Sequence, residues 1–219
     1  MNIPDPSPAF AHVTDWVFDL DNTLYNPAVR LFDQIEEKMC AFMVKNLGMK
    51  RDEANRLRKH YWEVHGTTLS GLMKEHGIQP EPFLIDVHDI CFDALQPAPN
   101  LAALIRNLPG RSVVYTNGTK PYAERVLKAC GLNSIFDEVY GIEHANYLPK
   151  PQQAAYDFVF DLDGFPQQTA AMFEDEARNL KVPHDMGLRT VHVAPEPDQA
   201  DYVDFHTNDL TSFLHQISK

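Results

Sequence analysis

The sequence predicts an α/β protein: a Rossmann-like, doubly wound parallel sheet with a four-helix insert after its first strand. Three observations lead there. A short β-rich run, Val13 to Phe18, passes at once into Asp19-Leu20-Asp21. Four amphipathic stripes then follow with no strand between them, the mark of a small helical bundle. From Leu101 onward strands and helices alternate to the end, as in a parallel sheet covered on both faces.

Val13 to Phe18 is short, apolar and bounded by polar residues, so it reads as a buried strand with acids at its carboxyl end. The first helical stripe is Leu31, Ile35, Met39 and Phe42, closed by Gly48. The second is Ala54, Leu57, Tyr61 and Val64; the third is Leu69, Leu72, Met73 and His76, stopped by Gly77. Phe83, Val87, Ile90 and Ala94 make the fourth. Gln96-Pro97-Ala98-Pro99-Asn100 is a linker. Beyond it come a helix on Leu101, Leu104, Ile105 and Leu108, a strand Ser112–Tyr115, and a helix with Pro121 near its start and Gly131 past its end. A strand near Glu138 to Ile142, a helix from Gln152 to about Leu162, strands Ala170–Phe173 and Thr190–Ala194, and a helix from Asp209 complete the pattern. The core is therefore residues 1–25 and 96–219, with a helical segment over 26–95.

Composition narrows the function. At about 150 residues per domain, 219 residues allow one large domain or a domain plus an insert. The 19 Lys+Arg against 31 Asp+Glu give a formal charge of −12, which argues against nucleic acid polymers and anionic membranes. Cys40, Cys91 and Cys130 are odd in number and form no C-x-x-C pair, so a reducing compartment fits better than a disulfide framework or a zinc site. Met1 to Ala11 shows no apolar run after basic residues, and no segment reaches the ~18 apolar residues of a membrane span. The expectation is a soluble cytoplasmic protein.

Ligands of a doubly wound sheet bind at the carboxyl ends of its strands. Asp19 and Asp21, Thr116 and Asn117, Lys150, and Glu174 and Asp175 all fall at such ends or in the loops beyond them. The four carboxylates would repel, and a hard divalent cation such as Mg²⁺ relieves this with oxygen ligands. Carboxylates, Mg²⁺, a lysine and a hydroxyl are what phosphoryl transfer needs, since catalysis there is positioning and charge neutralisation. Each piece alone has a plainer reading. Asp-Leu-Asp and Thr-Asn-Gly are frequent turns, and Glu-Asp before Asn179 could cap a helix. Their joint appearance favours a site. Val159-Phe160-Asp161-Leu162-Asp163-Gly164 nearly repeats Val17 to Asp21, but it continues a helical run, so Asp161 and Asp163 read as exposed acids near a helix end.

At these residues a family resemblance becomes specific. Asp19-Leu20-Asp21-Asn22-Thr23-Leu24-Tyr25, Thr116-Asn117-Gly118, Lys150-Pro151 and Glu174-Asp175-(x)3-Asn179 resemble the four motifs of haloacid dehalogenase-like hydrolases. The helical insert sits where that family has a type 1 cap. Within the family, Asp-Asn-Thr-Leu-Tyr, Gly66 to Leu69 and Phe173-Glu174-Asp175 resemble the pyrimidine 5′-nucleotidase group. The resemblance implies that Asp19 is a nucleophile forming an aspartyl-phosphate and that Asp21 is the acid, then the base, and binds Mg²⁺ through its carbonyl. Thr116, Asn117 and Lys150 bind the phosphate. Asp19, Asp21 and Asp175 hold the metal, with Glu174 reaching it through water and Asn179 supporting the lysine from behind. An acid two residues after the nucleophile points to phosphate esters rather than carbon halides. Glu176 departs from the small hydroxyl residue of many relatives; it either alters metal affinity or faces solvent at a helix start, where acids are favourable. In the cap, Trp62, His65, Thr67 and Thr68 are candidates for selecting the substrate; Trp62 and His65 could stack on a base or be surface residues. The ten histidines form no metal-spaced set.

The implied partner is a small phosphomonoester, the implied cofactor Mg²⁺, and the chain a monomer or dimer. Pyrimidine nucleoside 5′-monophosphates head the substrates. Sugar phosphates, phosphoglycolate-like acids or cofactor phosphates are the alternative, and a catalytically silent regulatory protein on the same fold is the third reading.

Overall fold

A computed structural model of the chain describes residues 5–218; residues 1–4 of the leader, which open the expected core segment, and Lys219 lie outside that range. Strands β1 (Asp15–Phe18), β2 (Arg111–Tyr115), β3 (Glu138–Tyr140), β4 (Ala170–Glu174), β5 (Arg189–Val193) and β6 (Phe205–Thr207) form one sheet in the order β3-β2-β1-β4-β5-β6. Every neighbouring pair is parallel. This is the doubly wound order, whose reversal lies between β1 and β4. The helices are α1 (Ser7–Phe10), α2 (Leu31–Leu47), α3 (Arg51–His65), α4 (Thr68–His76), α5 (Pro80–Val87), α6 (Pro99–Arg106), α7 (Lys120–Ala129), α8 (Gln153–Asp163), α9 (Lys181–Met186) and α10 (Leu210–Ile217).

Alternation along β1 builds two cores. Trp16 and Phe18 point to one face, with Leu101, Ile105, Val126 and Phe213 of α6, α7 and α10. Val17 points to the other, with Ala155, Tyr156 and Val159 of α8. A strand buried on both faces has no room for a polar alternation, which is why β1 and β4 read as continuous apolar runs. The first core continues through Leu20 and Leu24 into Leu31, Ile35, Tyr61, Leu72 and Phe83, so α2 to α5 share it.

Local signals set the helix ends. Gly48 closes α2 with φ +68, its N–H bonding Val44 O. Thr67 caps α4 by accepting from Ser70 N–H, and Thr119 caps α7 by accepting from Tyr122 N–H. The fourth insert helix is shorter than its apolar spacing predicts and stops at Val87. Its end closes through His88 N–H to Leu84 O, and Ile90 N–H then folds onto His88 O. Ile90 stays buried without a helix, so the spacing persists where the helix does not. α1, α9 and β6 are too short to carry a periodic signal, and the sequence does not predict them.

All three cysteines are free. Among the described residues, no helix is long and apolar enough to cross a membrane.

Candidate active site

Register brings the motifs to one rim. Phe18 pairs with Val114 on one side and Phe173 on the other. The hydrogen-bond ladder runs one step further, with Asp19 N–H to Phe173 O at 2.9 Å and Thr116 N–H to Tyr140 O at 3.0 Å. Asp19, Thr116 and Glu174 thus stand side by side at the carboxyl ends of β1, β2 and β4.

Lys150 sits at their centre, 1% exposed. Its ammonium donates to Asp19 Oδ1 at 2.7 Å, Glu174 Oε2 at 2.6 Å and Tyr115 O at 3.0 Å. Burial opposes its charge, yet Asp19 and Glu174 together hold the ammonium above its ordinary pKa. Asn117 locks the lysine loop in place: its Oδ1 accepts from Lys150 N–H at 2.8 Å, and its Nδ2 donates to Lys150 O at 3.3 Å. Thr116 is 1% exposed and accepts from Gly118 N–H at 2.9 Å.

Three of the four acids expected at the rim cluster tightly. Carboxylate oxygens of Asp19, Glu174 and Asp175 lie within 4.8 Å of one another. Burial first, then Glu174, pushes the Asp19 pKa up to about 7 against the pull of Lys150. Burial, Glu174 and Asp19 hold the Asp175 carboxyl well above the usual range. Three carboxylates brought this close together fit a hard divalent cation such as Mg²⁺. Asp21 lines the same cavity outside this trio. Its Oδ1 accepts from both Tyr122 Oη, at 2.6 Å, and Tyr25 Oη, at 2.7 Å. Burial raises its pKa, and the two tyrosine hydroxyls oppose the rise.

Other residues complete the rim. Thr23 Oγ1 donates to Asp19 Oδ2 at 3.1 Å. Asn22 takes the left-handed conformation (φ 61), which asparagine tolerates, and donates through Nδ2 to Asp175 Oδ2 at 3.2 Å. Asn179 lines the cavity, but no hydrogen bond joins it to Lys150; its Oδ1 is buried without a partner among the described residues. Glu176 is half-exposed, stands just before the turn Ala177–Leu180 and lies 3.7 Å from Arg178 Nε.

Above the rim, α2 to α5 enclose a cavity of about 440 Å³ that Asp19, Asp21, Lys150 and Asp175 share with Trp62, Thr67 and Thr68. Trp62 meets Arg178 of the rim, whose guanidinium carbon lies 3.9 Å above the ring. Arg178 also donates to Trp62 O at 3.1 Å and to Gly66 O at 3.2 Å. Gly66 has φ +87, a backbone conformation that side chains rarely adopt, so the turn favours glycine. Two expectations fail. His65 does not line the cavity: it packs on Tyr61 one turn back and lies 3.6 Å from Glu75. Asp161 is exposed as expected, but the Asp163 side chain is fully buried, accepting from Arg111 at 2.8 Å and from Tyr140 Oη at 2.7 Å. Both partners come from strands remote in sequence, which helical spacing cannot reveal.

The chain is 28% identical over 206 residues to Phosphate metabolism protein 8 of Saccharomyces cerevisiae; the match takes in 85% of this chain and 62% of that protein's length. The crystal structure of CbbY from Rhodobacter sphaeroides in complex with phosphate superposes with a TM-score of 0.63 at 19% identity, covering 94% of this chain and 100% of that one. L-2-haloacid dehalogenase from Xanthobacter autotrophicus superposes with a TM-score of 0.60 at 17% identity, covering 94% and 98%. These structures share the fold. The family model described as haloacid dehalogenase-like hydrolase matches residues 16–193. That stretch begins in β1 and ends with β5, and on it the chain belongs to the haloacid dehalogenase-like hydrolases.

Proposed function

We propose that the chain is a Mg²⁺-dependent phosphomonoesterase acting through an aspartyl-phosphate, with pyrimidine nucleoside 5′-monophosphates as its preferred substrates. In this reading residues 26–95 serve as a cap over a core of residues 1–25 and 96–219. The observation that carries it is Asp21. A halide leaves carbon as a stable anion and needs no proton, whereas the oxygen leaving a phosphate ester does. Asp21 lines the cavity two residues from Asp19, with one oxygen pinned by two tyrosines. The pinned oxygen leaves the other to carry a proton.

The chain's own groups then divide the work. An Asp19 carboxylate oxygen forms a bond to phosphorus as the bond from phosphorus to the ester oxygen breaks, and Asp21 gives that oxygen its proton. Water next attacks the phosphorus of the aspartyl-phosphate, Asp21 takes up the water's proton, and Asp19 is released with inorganic phosphate. Lys150 orients Asp19 and offsets its charge, while Thr116 and the amides beside it receive the phosphoryl oxygens. Asp19, Asp175 and the Asp21 carbonyl would hold Mg²⁺, with Glu174 reaching it through water. When bound, the ion supplies positive charge against the transferring group.

The test is phosphate release from p-nitrophenyl phosphate with Mg²⁺ and with excess EDTA. Turnover with Mg²⁺, its loss in EDTA, and a folded but inactive Asp19→Asn variant are expected. Halide release from a 2-haloacid with no phosphate release from any ester would overturn the reading.

A further inference from the structure

Away from the acidic rim the cavity runs between α2, α3 and α5, walled by Phe32, Ile35, Met39, Phe83 and Leu84. One buried charge interrupts this apolar wall. Arg58 on α3 is 7% exposed, and its carbonyl accepts from Thr68 Oγ1 at 3.3 Å. Its Nη1 donates to Glu36 Oε1 at 2.8 Å and its Nη2 to Asn55 Oδ1 at 3.1 Å. Its Nε–H is buried with no partner among the described residues. Tying α2 to α3 takes only the Glu36 contact; it does not account for a guanidinium on a cavity wall with a donor unused. A buried polar group without a partner is costly and calls for an explanation. Glu36, also on the wall, has a side chain 41% exposed and a second oxygen free to accept.

We propose that Arg58 and Glu36 form a distal subsite that reads the end of the substrate remote from phosphorus. Arg58 donates to a neutral carbonyl oxygen, and Glu36 accepts an N–H or O–H beside it. A second carboxylate or phosphate at that end is disfavoured because it would meet the charge of Glu36. A hydrocarbon tail would leave the Arg58 donor unpaired. The substrate class is a phosphomonoester with a compact apolar body ending in a cyclic amide or imide edge. The inference rests on the phosphomonoesterase reading for the other end of the cavity.

The test compares uridine 5′-monophosphate with ribose 5-phosphate, which keeps sugar and phosphate but lacks the imide ring. Uridine, which lacks phosphorus, is titrated separately by calorimetry. Arg58→Lys keeps a cation opposite Glu36 and deletes the forked donor. The ratio of kcat/KM for the two esters is expected to be about 10²-fold or more in the native chain and to fall at least about 10-fold in R58K, with uridine binding weakened in parallel. A native ratio near one, or an R58K ratio unchanged, overturns the subsite. So does an equal fall for both esters accompanied by a lower melting temperature, which makes Arg58 a brace between helices. Glu36→Gln, which keeps the shape of that side chain, is expected to lower the ratio in the same direction. Uridine binding that is lost in R58K supports the subsite even if neither ester releases phosphate, an outcome that would count against the phosphomonoesterase reading alone.

Discussion

Tyr122→Phe removes one atom from the site and has a calculable effect. Tyr122 and Tyr25, both buried, place their hydroxyls 2.6 Å and 2.7 Å from the same Asp21 oxygen. In the proposed mechanism each hydrogen bond stabilises the carboxylate that Asp21 becomes once it has given up its proton. A hydrogen bond to a charged group is worth about 1.5–3 kcal/mol, or roughly 10- to 150-fold in rate. Tyr25 remains in the single variant, so the lower end applies: about a 10-fold loss for Y122F and about 100-fold or more for Y25F/Y122F. The loss should depend on the leaving group. Nitrophenolate departs unprotonated, while an alkoxide needs the acid. The assay is kcat/KM for an alkyl phosphate and for p-nitrophenyl phosphate, since this parameter covers only the steps up to the aspartyl-phosphate. The alkyl ester should carry the full loss and the nitrophenyl ester less than about 3-fold. Equal losses on both esters, or no loss in the double variant, would refute the assignment of these tyrosines to the acid.

His88 is buried, stacked on Tyr122 at 4.2 Å, and its pKa is lowered to about 4 by burial first and Arg125 second. The folded state resists a proton that the unfolded chain accepts near 6.5, so stability is full above that pH and is lost as pH falls toward about 4. At about 1.36 kcal/mol per unit this amounts to roughly 2 kcal/mol by pH 5, measured by urea unfolding. His88→Gln should flatten that slope, and parallel slopes would contradict the assignment. Asp163→Asn removes the charge that the buried Asp163 presents to the half-exposed Arg111 and should cost about 1–3 kcal/mol in denaturant unfolding. Its turnover per folded molecule should match the native chain, and an inactive folded variant would show that the second Asp-x-Asp takes part in chemistry.

The sheet and the rim were legible in the sequence because each motif comes directly after a strand or in the loop beyond it, and parallel strands all deliver their carboxyl-end loops to one edge. Asp19, Thr116, Lys150, Glu174 and Asp175 needed only that rule. Tyr25, Tyr122, Asn22 and Thr23 needed more, since their value depends on where a side chain points after a turn and on an approach across many residues. Nothing in the sequence singles out Arg178 or Arg58, and only packing shows what they touch. His65 misled for the converse reason. It lies near Trp62 in sequence but on the side of α3 that faces α4, and sequence proximity does not fix a helix face.

An ammonium carries three N–H bonds, and Lys150 has committed all of them, to Asp19, Glu174 and the Tyr115 carbonyl. It is therefore a keystone and not a hand. A phosphoryl oxygen arriving at this rim gains a direct bond to Lys150 only by evicting a present holder, and a bond to Asp19 given up in that way would unmoor the carboxylate proposed as the nucleophile. What the lysine contributes at no such cost is its field, which acts across the cavity without any exchange of partners.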